Sequence, residues 1–315
     1  MATVIPFRAL RFTDKAGDIA ALTCPPYDII SEQQRRAYLA ANPHNIIRLE
    51  LPRDGADPYA VAKDTLRDWL QTGILAQDTD AAFYVYAIDF TALGEKKQIA
   101  GLVGRVKLAA FSEGVVLPHE ETLSKAKADR LQLMHATGCN FSNIYSLYRA
   151  DDAASPIHDV MKLTENAALV TEMTDENGLR HRLWAVTDAG VTDAVTAAFS
   201  DLKLYIADGH HRYETALNYR RELQEAGICD RNADYCMMML VEMSHPGLVV
   251  FPTHRMVRGL SGFSAEELLT ACDAYFERQV LAPEEWQTAL SAAYVAGKKA
   301  FGFYDGTRTV LLELR

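Results

Sequence analysis

The sequence predicts a mixed α/β (α+β) fold, and three observations carry that prediction. Short apolar, β-prone runs alternate with segments of helical period, such as residues 57–71. Across residues 202–226 an apolar run passes through a single tight turn into a helix. Around Asp175-Glu176-Asn177-Gly178 two further runs form a hairpin, because Asn-Gly is the strongest two-residue turn signal.

Bulk properties exclude several function classes. With 315 residues the chain buries a sizeable core, as two domains or one large one. A net charge of −10 argues against nonspecific DNA binding, so no nucleic-acid partner is expected. No apolar run is long enough to span a membrane, and the start of the chain carries no signal sequence, so a cytoplasmic protein is expected. Cys24, Cys139, Cys229, Cys236 and Cys272 are scattered, which fits reduced thiols and neither a disulfide framework nor a structural zinc site.

Taken in order, residues 3–12 read as an edge strand broken by Pro6. Pro25 and Pro26 force an extended turn that presents Tyr27 and Asp28. Ser31 then caps a helix, with Gln34 completing a capping box. Residues 46–51 read as a strand. Asp57 and Pro58 open a helix that Gly73 ends, its apolar face formed by Val61, Leu66, Trp69 and Leu70. Strands are expected at 83–90, 99–111, 144–148, 167–174, 179–187, 235–243 and 248–252, with helices at 124–136, 192–200, 263–276 and 283–296. A last hairpin spans 301–314. The chain is expected to divide near residue 150 into sub-domains 1–150 and 151–315 that share one cleft.

Three polar clusters carry the chemistry. In Asp208-Gly209-His210-His211-Arg212, a strand-to-helix turn combines unpaired helix N–H groups with a guanidinium, which suits an anion and above all a phosphate. Gly209 allows close approach to the backbone. The second cluster is His119, Glu120 and Glu121 in a loop, followed by Lys125 and Arg130 on a helix. Position 123 is Leu, so the pair is not a zinc-protease motif; it fits a general base or a magnesium site. Tyr27 and Asp28 form the third, with Asn143 and Arg255 as further polar groups at strand ends. No Gly-x-Gly-x-x-Gly, phosphate-loop lysine or Gly-x-Ser-x-Gly motif is present.

At these clusters the chain resembles the bacterial and archaeal family DUF1015. The resemblance lies in Asp208-Gly209-His210-His211-Arg212-Tyr213-Glu214-Thr215-Ala216, Pro25-Pro26-Tyr27-Asp28, His119-Glu120-Glu121-Thr122 with Lys125 and Asp129-Arg130, and Pro252-Thr253-His254-Arg255. Members are usually longer, so it implies either a short member or a chain that continues past Arg315. More distantly, the Gly-x-His-Arg core is similar to the phosphate-binding turn of the ParB/sulfiredoxin-like superfamily. That superfamily includes a nucleotide-binding partition protein, an ATP-using sulfinic acid reductase and a free-serine kinase.

Together the clusters suit phosphoryl transfer, with cations on phosphate and an acid at the accepting hydroxyl. The expected function is a nucleotide-dependent phosphotransferase for a small hydroxyl-bearing metabolite, serine-like by resemblance alone. Glu120, with His119 or Asp208 as alternatives, is the expected base. Gly209, His210, His211, Arg212, Arg130 and Lys125 would hold ATP or ADP. Tyr27, Asp28, Asn143 and Arg255 would hold the substrate, and Asp208 and Glu121 would carry Mg2+. Two alternatives remain open. One is a metal-dependent phosphatase with Asp208, His210, His211 and His119 as ligands; the other is a nucleotide-binding regulator without turnover.

Overall fold

The computed structural model describes residues 1–92, 94–120, 124–250 and 254–315, the side chains of 124–127 lying outside that description. The chain divides into two compact units, Met1–Val250 and Phe251–Arg315. Among the described residues no helix is long and apolar enough to cross a membrane.

The first unit opens with β1 (Val4–Ile5) and β2 (Leu10–Phe12). The strand expected over 3–12 is split because Pro6, lacking an N–H, interrupts the ladder. Then come α1 (Ile19–Leu22), α2 (Glu32–Ala41), α3 (Ile47–Glu50) and α4 (Pro58–Thr72). The capping box of Ser31 and Gln34 is present on α2. Asp57 caps α4 through the N–H groups of Tyr59 and Ala60, and Gly73, at φ 73°, ends it. On that helix Ala62, Leu66 and Trp69 are buried, whereas Val61 and Leu70 are exposed, so the apolar face is rotated from the expected one.

The strand expected at 46–51 is α3 instead. Asn45 explains the change: its Oδ1 accepts the Ile47 N–H at 2.9 Å, while its amide donates to the carbonyls of Ala21 and Thr23. Side-chain bonds of this kind start a helical turn that the apolar pattern alone does not signal.

β3 (Leu75–Gln77) pairs with β2 as a separate ribbon. The main sheet adds β4 (Phe83–Ala92), β5 (Glu95–Lys107), β6 (Val116–Leu117), β7 (Ile144–Tyr148), β8 (Ala168–Thr174), β9 (Arg180–Val186), β10 (Leu204–Asp208) and β11 (Tyr235–Glu242). Between them lie α5 (Ser124–Thr137), α6 (Ala189–Phe199) and α7 (His210–Glu225). Among the described residues the strand order is β6-β10-β7-β11-β5-β4-β9-β8, with β1 on β5. This is a mixed α/β architecture. One face of the sheet carries Phe83, Val85, Leu102, Ile144, Leu204, Ile206, Met238 and Leu240 into a core closed by Val195 and Phe199 of α6 and Tyr213 of α7. The Tyr213 hydroxyl clamps that core, accepting the Ala109 N–H at 3.0 Å and donating to the Ala109 carbonyl at 2.8 Å.

The boundary expected near residue 150 falls inside this sheet, since strands from both sides of it pair directly. β10 lies near one edge of the sheet. Among the described residues only the two-residue β6 lies outside it.

The second unit contains α8 (Ala265–Cys272), β12 (Phe276–Leu281), α9 (Trp286–Val295), β13 (Ala300–Tyr304) and β14 (Thr309–Leu314). Its strands form an antiparallel sheet in the order β12-β14-β13, with Leu269, Val310 and Leu312 buried. β12 was not expected from the sequence, where the helix of 263–276 runs into it. Residues 248–250 are irregular and not the strand expected there.

Candidate functional site

The site is built by strand register. β6 runs parallel to β10, with Val116 beside Leu204 and Leu117 beside Tyr205, so both strands end on the same side. His119 and Glu120 therefore emerge next to Ala207 and His210. Antiparallel β7 brings its first residues to that same end, with Tyr145 opposite Asp208. The register slips between Ile206 and Asp208, as in a bulge, and re-aims the residues that follow. The Ala207 carbonyl accepts a bond from His119 Nε2 at 3.2 Å.

Gly209 has φ 94°, a left-handed conformation that L side chains rarely adopt. A Cβ there would lie 3.0 Å from the Arg212 guanidinium, so Arg212 can fold back over the turn only because position 209 is glycine. Arg212 donates from Nη2 to the Asp208 carboxylate and from Nη1 to the Asn143 carbonyl. The helical ladder of α7 begins at the Tyr213 N–H, bonded to Gly209 O at 3.0 Å. The earlier N–H groups of that first turn are thus not used by the ladder, and they form the positive end of a 16-residue helix.

His210 is buried, with 1% exposure. Its Nε2 accepts the backbone N–H of His119 at 3.2 Å. An accepting ring nitrogen carries no proton, so the neutral ring keeps its proton on Nδ1. That Nδ1 lies 3.0 Å from Glu120 Oε1, yet out of line for a hydrogen bond, and among the described residues it has no hydrogen-bond partner. Burial holds the His210 pKa below its ordinary value, against the opposing pull of Glu120. Glu120 itself is about half exposed, its side chain at 52%. The rings of His119 and His210 meet edge to face, 4.5 Å between centroids.

A second knot of groups adjoins the first. Arg130 is buried on α5 and donates from Nη1 to the Glu50 carbonyl at 2.7 Å, and from Nε and Nη2 to Asp129 at 2.8 and 2.6 Å. Its guanidinium sits over the Tyr27 ring, 4.2 Å from the centroid. Glu50, also buried, accepts from the Ser142 hydroxyl and lies 3.9 Å from Arg130 Nη1. Burial pushes the Glu50 carboxyl above its usual range despite Ser142, Arg130 and Arg212, all of which pull it down. Burial likewise raises the Tyr27 phenol, opposed by Arg130 and Arg212. Glu50, Arg130, Asn140, Ser142, Arg212 and Thr215 line one small pocket, which joins this knot to the turn after β10.

The three sequence clusters therefore converge in the first unit. Asp28 is exposed beside Tyr27, and its charge is felt by both Tyr27 and Glu50. Asn143 takes part through its backbone carbonyl. His211 is half-buried on the first turn of α7. Arg255 is exposed and belongs to the second unit. Glu121, like Thr122, Pro252 and Thr253, lies outside the described residues, as does the side chain of Lys125. Among the described residues no group of three or more His, Cys, Asp or Glu is placed to hold a metal ion. In particular, Asp208, His210, His211 and His119 are not gathered into one.

A family model described as "Protein of unknown function (DUF1015)" matches residues 4–315. The chain belongs to the DUF1015 family. No curated protein and no solved structure matches it.

Sequence reasoning missed two members of this DUF1015 site, Glu50 and Ser142. Glu50 sits in the apolar run Ile46-Ile47-Arg48-Leu49-Glu50-Leu51, which reads as a strand; the one available signal was a carboxylate at a position that burial disfavours. Ser142 lies in the short polar segment before β7, where nothing in the residue types separates it from an ordinary loop serine.

Proposed function

We propose that this DUF1015 protein is a nucleotide-dependent phosphotransferase acting on a small, hydroxyl-bearing metabolite of the cytoplasm. One observation carries the reading: Arg212, the first turn of α7 and the His210–Glu120 pair converge at one strand end. The first two attract the charge of a transferring phosphate, and the third supplies a carboxylate for the accepting hydroxyl.

The geometry supports the following roles. Arg212 offers a fork of N–H donors to phosphate oxygens, and a phosphate that takes them displaces the Asp208 carboxylate or shares it. Burial favours the neutral form of His210, whose Nδ1–H faces the half-exposed Glu120 carboxylate and can donate to it after a small turn of the side chain. Glu120 accepts the hydroxyl proton as the hydroxyl oxygen bonds to phosphorus and the bond to the nucleotide's leaving phosphate breaks. ATP or ADP would supply the phosphoryl group. Mg2+, which usually takes one or two carboxylates with water and phosphate oxygens completing its shell, would be held by Asp208 or Glu121 and would neutralise charge on the transferring phosphate. Tyr27, stacked under Arg130, and the neighbouring Asp28 would meet the acceptor. A serine-like acceptor rests on the resemblance of the turn to that of the free-serine kinase.

Incubation with a panel of nucleotides, read by thermal shift and then by product mass, tests the reading. Consumption of ATP or ADP with formation of a phosphomonoester is the expected result. Phosphate release from phosphoserine without nucleotide would replace it with the phosphatase reading. Nucleotide binding with no turnover of any acceptor would leave a regulatory protein.

A further inference from the structure

Beyond this site the first unit holds a cavity of about 950 Å³ on the opposite face of the main sheet. It lies between that face and the N-terminal layer, which contributes Phe7, Phe12, Ile19 and Leu66 to its wall. On the sheet side Val103, Leu183 and Met237 form an apolar floor. Its volume is that of a small-molecule site. Other arginines of the wall are engaged with the protein: Arg11 with the Asp78 carboxylate, Arg8 with the Asp78 carbonyl and Arg182 with Asp89.

At one end stands Arg105 of β5. Its Nη1 donates to Asn232 Oδ1 at 3.0 Å, and its guanidinium lies 5.3 Å from the centre of the Tyr235 ring. Among the described residues it has no carboxylate partner, although Asp230 shares the wall, and its Nε is buried with no hydrogen-bond partner. Arginines over an apolar floor are normally paired; one held in place by an amide and an aromatic ring keeps its charge for something else.

Tyr86 and His181 mark the other end. The Tyr86 hydroxyl lies 2.7 Å from His181 Nδ1, and His181 Nε2 lies 3.4 Å from Asp175 Oδ2. Burial, with the Asp175 charge, pushes the Tyr86 phenol up to about 12, so it keeps its proton. A ring proton on His181 Nε2, the nitrogen that faces Asp175, leaves Nδ1 to accept from the phenol. The phenol oxygen then retains lone pairs for a donor from the cavity. Tyr86 pairs with Gly101, four residues before Arg105 on the same strand, which sets the two ends about 13 Å apart at roughly 3.3 Å per residue.

We propose that this cavity binds an elongated, mainly apolar carboxylic acid, its carboxylate on Arg105 and a hydroxyl at its far end on Tyr86. The apolar middle of the ligand covers Val103, Leu183 and Met237. The cavity shares Cys139, Asn140 and Phe141 with the small pocket beside the turn after β10, but the proposal rests on Arg105 and Tyr86 and does not depend on the phosphotransferase reading.

Isothermal titration calorimetry of the full chain with 10-hydroxydecanoate, kept below its micelle-forming concentration, tests the proposal. Binding with Kd of about 1 mM or tighter is expected. Arg105→Met should weaken it about tenfold or more, the loss of a charge-assisted pair. Tyr86→Phe should weaken 10-hydroxydecanoate about threefold and leave decanoate, which lacks the terminal hydroxyl, unchanged. If Arg105→Met loses its fold by circular dichroism, Arg105→Gln, which can still reach Asn232, is read the same way. No binding heat with the wild-type chain at about 1 mM, or undiminished affinity in the Arg105 variant, would overturn the site. Equal effects of Tyr86→Phe on both acids would overturn the orientation.

Discussion

The turn after β10 and the cavity on the other face of the sheet handle charge in opposite ways. At the turn the guanidinium groups already have counter-charges within reach, Arg212 in Asp208 and Arg130 in Asp129, while Glu120 faces the His210 ring. In the cavity Arg105 is held by the Asn232 amide and the Tyr235 ring and has no carboxylate bonded to it among the described residues. A ligand at the turn must therefore exchange partners with the protein, whereas a ligand in the cavity adds a partner that was missing. Exchange suits a reaction, because the groups that release one another are free to follow charge as it moves. Addition suits retention of an unreacting molecule.

The comparison breaks first at Glu120. If the turn is a reaction site, Glu120→Gln keeps size and hydrogen bonding but removes the proton acceptor. Turnover should then fall roughly a hundredfold or more while nucleotide affinity stays nearly the same. A coupled assay for nucleotide consumption, alongside calorimetric binding, reads both quantities; normal turnover would move the base to His119 or Asp208.

Next in size is the pair of substitutions that dissects the exchange. Arg212→Ala should weaken phosphate or nucleotide binding about tenfold or more. It should also cost about 1–3 kcal/mol in urea unfolding, because the Asn143 carbonyl and Asp208 both lose their donor. Asp208→Asn removes the internal competitor for Arg212 and should tighten inorganic phosphate binding several-fold. Should Asp208→Asn weaken it instead in the absence of Mg2+, the carboxylate is not a competitor and the exchange picture fails.

The smallest effect concerns pH. The folded His210 pKa is held below its unfolded value, which is about 6.5, so the unfolded chain takes up a proton first as pH falls. Stability tied to the neutral ring is thus complete above about 6.5 and is lost as pH drops from there toward the folded pKa. Urea melts at pH 7.5 and 5.5 should show a smaller loss for His210→Asn than for the wild-type chain. His245, also held low by burial, keeps contributing in both.

What the sequence made legible was local. Pro58, Gly73, the Ser31 and Gln34 box and the Asn177-Gly178 turn act within a few residues, and each appears where the pattern put it. The Asp208–Arg212 turn was legible for the same reason. Its junction with His119 and Glu120 became a fact only through the parallel register of β6 on β10, which no spacing in the chain encodes. Glu50 was hidden more deeply, since its helix depends on the Asn45 side chain reaching Ile47. The second cavity was invisible, because Arg105, Tyr86 and His181 stand on three strands and carry no motif.

The most direct test of the central claim is a crystal structure of the protein with a non-hydrolysable ATP analogue and Mg2+. The account predicts the terminal phosphate in front of the first turn of α7, within hydrogen-bond distance of Arg212, with Glu120 facing the side from which an acceptor hydroxyl would attack. An analogue bound with its phosphates away from Arg212 and that turn, or no bound analogue at saturating concentration, would contradict it.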